Sequence, residues 1–299
     1  MQPFFQNDYV TIYNSNCFEI MPDFAGRNFD MVLTDPPYGV TQLEWDYAID
    51  YGAFFAGLRG VTRRNTATLV FSQMPMSCDL INANRREFRY EIIWQKTQKL
   101  GFLNAKKMPL KAHENILVFY GALPTYHPIK TSATQAPELR TRQNGKKNQM
   151  FIGRTRGNSE SNREGTLYHS VLSKDSRAPD KYQYIEDGSR YPTDVVAFSN
   201  WNGVLFGHRA YKQHPTAKPV PLLEYLIKTY TNVGGVVFDP FGGGGSTALA
   251  AMRTGRKCVM IEREEAYCEL AAERLLAENP ILPNLASALD EGAEGVGNR

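Results

Sequence analysis

Val236-Val237-Phe238-Asp239-Pro240-Phe241-Gly242-Gly243-Gly244-Gly245-Ser246-Thr247 runs from a β-branched apolar segment, through a block of glycines, into two residues that favour helix starts. It reads as strand, tight turn and helix. Glycines let the backbone take φ > 0 and approach a ligand closely, and Ser or Thr side chains accept from free helical amides. Seventeen residues after Gly245, at the end of the next apolar run, stands Glu262. A carboxylate there can bind both hydroxyls of a ribose, as in dinucleotide sites. The lysine of a phosphate-binding P-loop is missing, because Gly245 is followed by Ser246-Thr247, and this disfavours ATP. A turn that only packs helix on strand is the alternative for such a motif standing alone.

The same alternation extends outward. Val10–Tyr13, Met31–Thr34, Ala67–Ser72, Glu91–Trp94, Asn115–Tyr120, Val236–Asp239 and Cys258–Glu262 are short apolar or β-branched runs that read as buried strands. Pro221–Tyr230 places Leu222, Leu223, Leu226 and Ile227 on one helical face, and Ser246–Thr254 and Glu264–Ala277 are also helical in pattern. Strand alternating with helix predicts an α/β fold with a mainly parallel sheet covered on both faces. Residues 124–202 break the rhythm, being rich in Asn, Ser, Arg, Gly and Tyr and too long for a plain loop. They read as an inserted subdomain between flanking segments 1–123 and 203–280 of one domain. Residues 281–299 read as a disordered tail dominated by Gly, Ala and Glu.

The run Met31–Thr34 ends in Asp35-Pro36-Pro37-Tyr38. Consecutive prolines stop a strand and leave carbonyls unpaired, because neither ring nitrogen donates and φ is fixed. One carboxylate, free backbone acceptors and one aromatic ring therefore lie close together on a rigid segment. Such a site suits a planar group bearing an amine: the carboxylate and a carbonyl each accept one amino hydrogen, and the ring stacks on the plane. An adenine or cytosine taken out of a duplex is such a group.

Composition sets wide bounds. The chain has 299 residues, 42% hydrophobic and 22% charged, with a net charge of +3. Charge is unevenly spread: five lysines and no acid lie between Gln95 and Lys111, and seven basic residues against Glu160 alone between Leu139 and Arg163. Such clusters suit phosphate contact or form a solvated basic face. Cys17, Cys78, Cys258 and Cys268 have no CxxC or His/Cys metal spacing, so no metal is expected and reduced thiols in a cytoplasmic protein are the simplest account. The segment Met1–Asp8 lacks the charged start and apolar core of a signal peptide, and no run approaches the roughly 18 apolar residues of a membrane span.

Together, Asp35-Pro36-Pro37-Tyr38-Gly39 and Phe238-Asp239-Pro240-Phe241-Gly242-Gly243-Gly244 resemble the DNA amino-methyltransferases that use S-adenosylmethionine, in the order of their β class. His214-Pro215-Thr216-Ala217-Lys218-Pro219, Trp94-Gln95-Lys96 and His113-Glu114-Asn115-Ile116-Leu117-Val118-Phe119 resemble further segments of that class. The resemblance implies a Rossmann-like, seven-stranded methyltransferase sheet with an inserted target-recognition region. It implies methyl transfer to adenine N6, the base associated with Asp at the first motif position, or to cytosine N4, associated with Ser. Asp35, Pro36, Pro37 and Tyr38 would be catalytic. Asn16, Asp35, Lys218, Asp239, Phe241, Gly242, Gly243, Gly244, Ser246, Thr247 and Glu262 would bind the cofactor. Asn16 stands where the class usually has an acid. Lys218 reads equally as a contact to cofactor or DNA and as a solvated charge. Arg142, Lys146, Lys147, Arg154 and Arg156 of the insert are candidates for contact with double-stranded DNA, phosphate before base. Dimers and a cognate restriction endonuclease occur as partners in the class, and location in the cytoplasm at the nucleoid of a bacterial or phage-infected cell goes with it. His113-Glu114 reads as a strand-end packing pair, and Trp94 and Trp201 as core or interface residues.

Overall fold

A computed structural model describes residues 2–38, 49–132, 189–200 and 217–278. Eleven strands are found among them: β1 (Phe5–Gln6), β2 (Val10–Asn14), β3 (Phe29–Thr34), β4 (Thr62–Ser72), β5 (Phe88–Leu100), β6 (Lys111–Phe119), β7 (Thr131–Ser132), β8 (Ser189–Arg190), β9 (Val195–Phe198), β10 (Val236–Asp239) and β11 (Lys257–Glu262). The helices are α1 (Cys17–Ile20), α2 (Tyr51–Val61), α3 (Met76–Ala83), α4 (Val220–Tyr230), α5 (Ser246–Arg253) and α6 (Glu265–Ala277). The chain divides into two compact units, one of residues 1–129 with 192–299 and one of residues 130–191. In the smaller unit β7 pairs with β8, and Lys130 Nζ lies 4.9 Å from the Tyr191 ring centroid.

The larger unit is built on one sheet in the order β1-β2-β11-β10-β3-β4-β6-β5-β9. The seven expected strands form its body, and β1 and β9 extend its two edges. Neighbours from β2 to β4 are parallel, while β6 runs antiparallel between β4 and β5. Side-chain alternation assigns the two faces. Met31, Leu33, Leu69, Phe71, Ile116, Val118 and Val237 join one core with the apolar faces of α4, α5 and α6. Phe29, Val32, Val70, Leu117, Phe119 and Phe238 join the other with Phe54, Phe55 and Leu58 of α2 and with Met76 and Leu80 of α3. The Phe29 and Phe238 rings stack at 4.5 Å across the β3–β10 seam.

That seam positions the site. From β10 the chain passes through α5 to β11 on one side, and from β3 through α2 to β4 on the other. The β3–β10 boundary is therefore the topological switch point, where the carboxyl ends of parallel strands open a crevice. Val237 pairs with Met31 and Phe238 with Val32, so the glycine turn and the Asp35 segment leave the sheet side by side. Because β6 is antiparallel to β4 and β5 antiparallel to β6, the connection from β5 to β6 emerges at this same edge.

The glycine turn is held tightly. Gly245 has φ +75°, and a Cβ built on it meets the Ala271 Cβ of α6 at 2.7 Å. Gly245→Ala combines a left-handed alanine with a backbone-adjacent clash and is expected to cost about 2 kcal/mol or more. Differential scanning calorimetry should show Tm lowered by about 4–8 °C; an unchanged Tm would mean that the α5–α6 contact yields freely.

Candidate active site

Asp239 ends β10 and is 2% exposed. Its Oδ1 accepts from Thr34 Oγ1 at 2.8 Å and from the Phe241 amide at 3.1 Å, and the Thr247 hydroxyl also bonds to it. Burial dominates nonetheless and pushes its pKa up to about 6, against the three hydrogen bonds and with a small upward push from the charge of Asp35. The turn that follows folds over β11. The Gly242 amide donates to the Ile261 carbonyl at 2.9 Å. A Cβ on Gly242 would stand 2.4 Å from Met260 Cε and 3.0 Å from its Cβ, so the turn lies close on the Met260 side chain. Gly243, at φ +49°, donates its amide to Glu262 Oε2 at 2.8 Å, and the Glu264 amide donates to Oε1 at 2.8 Å. Burial raises the Glu262 pKa, and these amides oppose the rise. Ser246 Oγ and the Gly244 carbonyl both accept from Arg274 Nη1, the first at 3.2 Å. Phe241 packs edge-on against Phe18 at 6.3 Å and lies 5.9 Å from Phe54. Asn16 caps α1: its Oδ1 accepts from the Phe18 amide at 3.1 Å and its Nδ2 donates to Glu19 Oε1 at 3.2 Å.

Across the seam, Asp35 is the centre of a chain of charges. Its Oδ1 accepts from the Tyr38 hydroxyl at 2.8 Å, and its Oδ2 accepts from Lys218 Nζ. The same ammonium lies 3.7 Å from Glu114 Oε2, while Glu114 Oε1 accepts from Lys96 Nζ at 2.5 Å. Lys218 is 8% exposed, so its reading as a solvated charge does not hold. Its Nζ lies 5.6 Å from the Tyr38 ring centroid and 5.1 Å from that of Phe71, a cation set against two aromatic faces. Lysines and carboxylates thus alternate from Lys96 through Glu114 and Lys218 to Asp35. Burial disfavours the Lys218 charge, but Asp35 and Glu114 outweigh it and raise its pKa. Burial raises the Asp35 pKa, Lys218 opposes this, and the Glu114 charge adds to the rise. For Glu114 burial is overcome by Lys218 and Lys96, and its pKa falls below the usual carboxylate value.

The structure therefore brings Asp35, Tyr38 and Lys218 together and joins them to Asp239 through Thr34. Pro36 and Pro37 are buried beside them. The structure adds Lys96, Glu114 and Thr34 to the site residues expected from the sequence. Alternation along β5 puts Lys96 on the same face as buried Trp94, and a lysine on a core face needs an acid opposite; the register supplies it through Trp94↔Glu114. Trp94 is a core residue, 2% exposed, with its Nε1 donating to the Phe198 carbonyl at 3.0 Å. Gly39, Trp201, His214, Pro215 and Thr216 lie outside the described residues, as do Arg142, Lys146, Lys147, Arg154, Arg156 and residues 281–299. Among the described residues no group of three His, Cys, Asp or Glu could hold a metal ion, and no helix is long and apolar enough to cross a membrane.

Comparison with known proteins agrees with this geometry. The profile of the family N6_N4_Mtase, described as DNA methylase, matches residues 29–273. The type II methyltransferase M2.MboI of Moraxella bovis is 24% identical over 95% of this chain and 94% of its own length. Among solved structures, the PvuII DNA methyltransferase (cytosine-N4-specific) covers 96% of this chain and 93% of its own, with a TM-score of 0.63 at 16% identity. The M1.HpyAVI–SAM complex covers 89% of this chain and 99% of its own, with a TM-score of 0.54 at 20% identity.

Asp239 makes stability depend on pH. Its folded pKa of about 6 lies above the ordinary aspartate value of 3.8, so the folded state binds this proton more tightly than the unfolded one. The resulting stability is fully present below the lower value and is lost as pH rises through about 6. The difference is on the order of 3 kcal/mol. Denaturant unfolding at pH 4.5 and 7.5 should show a smaller loss of stability with rising pH in Asp239→Asn than in the parent chain. An equal loss in both would place the titration elsewhere.

Proposed function

The chain belongs to the N6_N4_Mtase family of DNA methylases, and on that premise we propose that it transfers a methyl group from S-adenosylmethionine to the exocyclic N6 amine of an adenine flipped out of duplex DNA. The observation that carries this reading is the junction of Asp35 with Asp239 through Thr34 Oγ1, at the switch point of the sheet. It sets an amine-accepting carboxylate beside a glycine turn with a ribose-binding acid. The neighbour solved with SAM shares this fold.

The donor site is the turn from Asp239 to Thr247 together with Glu262. Its chemistry fits the proposed cofactor: Glu262 offers a partly buried carboxylate to ribose hydroxyls, and Asp239 offers a buried negative charge to an ammonium or sulfonium. When bound, S-adenosylmethionine supplies an electrophilic methyl on sulfur. The protein's own task lies on the acceptor side. The amine is a poor nucleophile because its lone pair is delocalised into the ring. Asp35 and the Pro36 carbonyl accept its hydrogens, favour sp³ character and stabilise the positive charge that develops on nitrogen. Tyr38, anchored to Asp35 by its hydroxyl, presents its ring to the base. Everything else is positioning.

Lys218 is placed on Asp35 and Glu114, and we assign it to the acceptor side in place of the cofactor carboxylate. Asp35 must be ionised to accept the amine, so kcat/KM rises with pH through its raised pKa. Lys218→Met removes the strongest influence holding that pKa down and should move the acid limb to higher pH. Glu114→Gln removes a charge that raises it and should move the limb lower. Shifts of the same sign would refute the assignment.

The nearest rival is cytosine N4 as acceptor, favoured by the likeness to the PvuII enzyme. The Asp at the first motif position supports adenine. Incubation with labelled S-adenosylmethionine and DNA, then digestion to nucleosides, should put the label in N6-methyladenine; label in N4-methylcytosine overturns that base. Asp35→Ala should reduce transfer about 10³-fold while cofactor affinity stays within about threefold. Retained transfer would sink the mechanism. Methylation-aware sequencing of DNA from expressing cells gives the target site.

A further inference from the structure

The connection from β5 to β6 projects from the carboxyl edge of the sheet and is rooted in the charge chain, because Lys96 and Glu114 face each other at its base. Beyond them the pairing shifts register after Gln95↔His113, resumes at Leu100↔Lys111 and gives way to a turn. At about 3.3 Å per residue the tip stands about 15 Å beyond Glu114. The tip is shaped by its own backbone. Gly101 takes φ +89°, a short 3₁₀ turn spans Phe102–Asn104, and the Asn104 carbonyl accepts from the Lys107 and Met108 amides at 2.8 and 3.0 Å. The arm is braced at its root, where Asn200 accepts from the Gln98 amide at 2.8 Å and donates to the Gln98 carbonyl at 3.0 Å.

What this arm displays to water is unusual. Phe102 is 80% exposed and Leu103 fully exposed, at the outermost turn. Lys99, Lys106 and Lys107 are exposed around them, and no acid occurs from Gln95 to Lys111. An apolar pair at the end of a cationic arm, rooted beside the candidate catalytic carboxylate, combines phosphate attraction with an apolar surface that water disfavours. Two stacked bases separated by loss of their neighbour offer what such a tip needs: an apolar slot flanked by phosphates. A reach of about 15 Å exceeds the depth of a duplex groove, about 8.5 Å. We propose that Phe102 and Leu103 form a wedge that enters the duplex where the target base leaves the stack, with Lys99, Lys106 and Lys107 gripping the adjacent backbone. The proposal rests on the DNA-methylating function above and adds to it the element that opens the helix.

The exposed pair can be changed without touching the core. Duplex oligonucleotides carry the mapped target site with 2-aminopurine at the target position, whose fluorescence rises on unstacking. Phe102→Ser/Leu103→Ser should lose at least tenfold in methylation of the unmodified duplex and most of the fluorescence rise, with cofactor affinity unchanged. Methylation should recover to within about threefold on a duplex with an abasic site opposite the target, where the base is already loose. Lys106→Gln/Lys107→Gln should lower the slope of log affinity against log salt by about 2. Equal fluorescence in parent and double-serine variant overturns the wedge, as does an equal loss on paired and abasic duplexes. A change from dimer to monomer in light scattering, with flipping intact, would instead assign the tip to a second copy of this chain. Failure of the underlying function looks different: the parent protein itself would methylate no DNA.

Discussion

The parallel pairing of β3 with β10 is the constraint on which the rest depends. It joins segments separated by about two hundred residues, and Thr34 and Asp239, 205 positions apart, seal its carboxyl end with a buried hydrogen bond. Without that pair the sheet would have no switch point, and the proline segment and glycine turn would not share a crevice. The stacked rings of Phe29 and Phe238 hold the same seam from one face, and Met31 and Val237 pack it from the other. At the opposite end Asp30 ties the two strands again, accepting from the Val236 amide at 2.8 Å while it pairs with Arg63.

Electrostatics explains why the acceptor side takes the form it does. A carboxylate at the foot of the crevice is desolvated, and burial pushes its pKa up. Lys218 opposes this, and its own buried charge is favoured by Asp35 first and by Glu114 as a second anion. Lys96 then neutralises Glu114. The chain ends where Lys96 Nζ lies over the Trp94 ring, 4.9 Å from its centroid. Such chains are costly to break, because removing one member strands a buried charge at about 3–5 kcal/mol.

The sheet and the helices α4 to α6 were legible in the sequence because their apolar residues recur with the period of the element. Other elements lacked that signal. In α2 Gly52, Gly57 and Gly60 depress helix propensity, yet Asp50 caps it by accepting from Ala53 and burial of Phe54, Phe55 and Leu58 carries it. The eight-residue α3 is too short for a period to stand out. Val195–Phe198 lies within a stretch read as an insert because its neighbours are polar, yet it pairs with β5. Of the candidate site, the proline motif and glycine turn could be read as local chemistry. The grouping of Lys96, Glu114 and Lys218 was legible only in part: alternation along β5 sets Lys96 on the core face, but the β5–β6 register and the approach of Lys218 from a segment about a hundred residues away come from the folded chain.

The β3–β10 seam also sets a timetable. During synthesis the Asp35 segment leaves the ribosome long before β10 exists, and at about 10 residues per second the gap is about 20 s. Through that interval β3 has β4 on one side but no partner on the side that β10 will fill. The crevice thus cannot be completed until β10 and β11 have been made, and a chain cut short before Asp239 holds the acceptor residues Asp35, Tyr38 and Lys218 but lacks the glycine turn and Glu262.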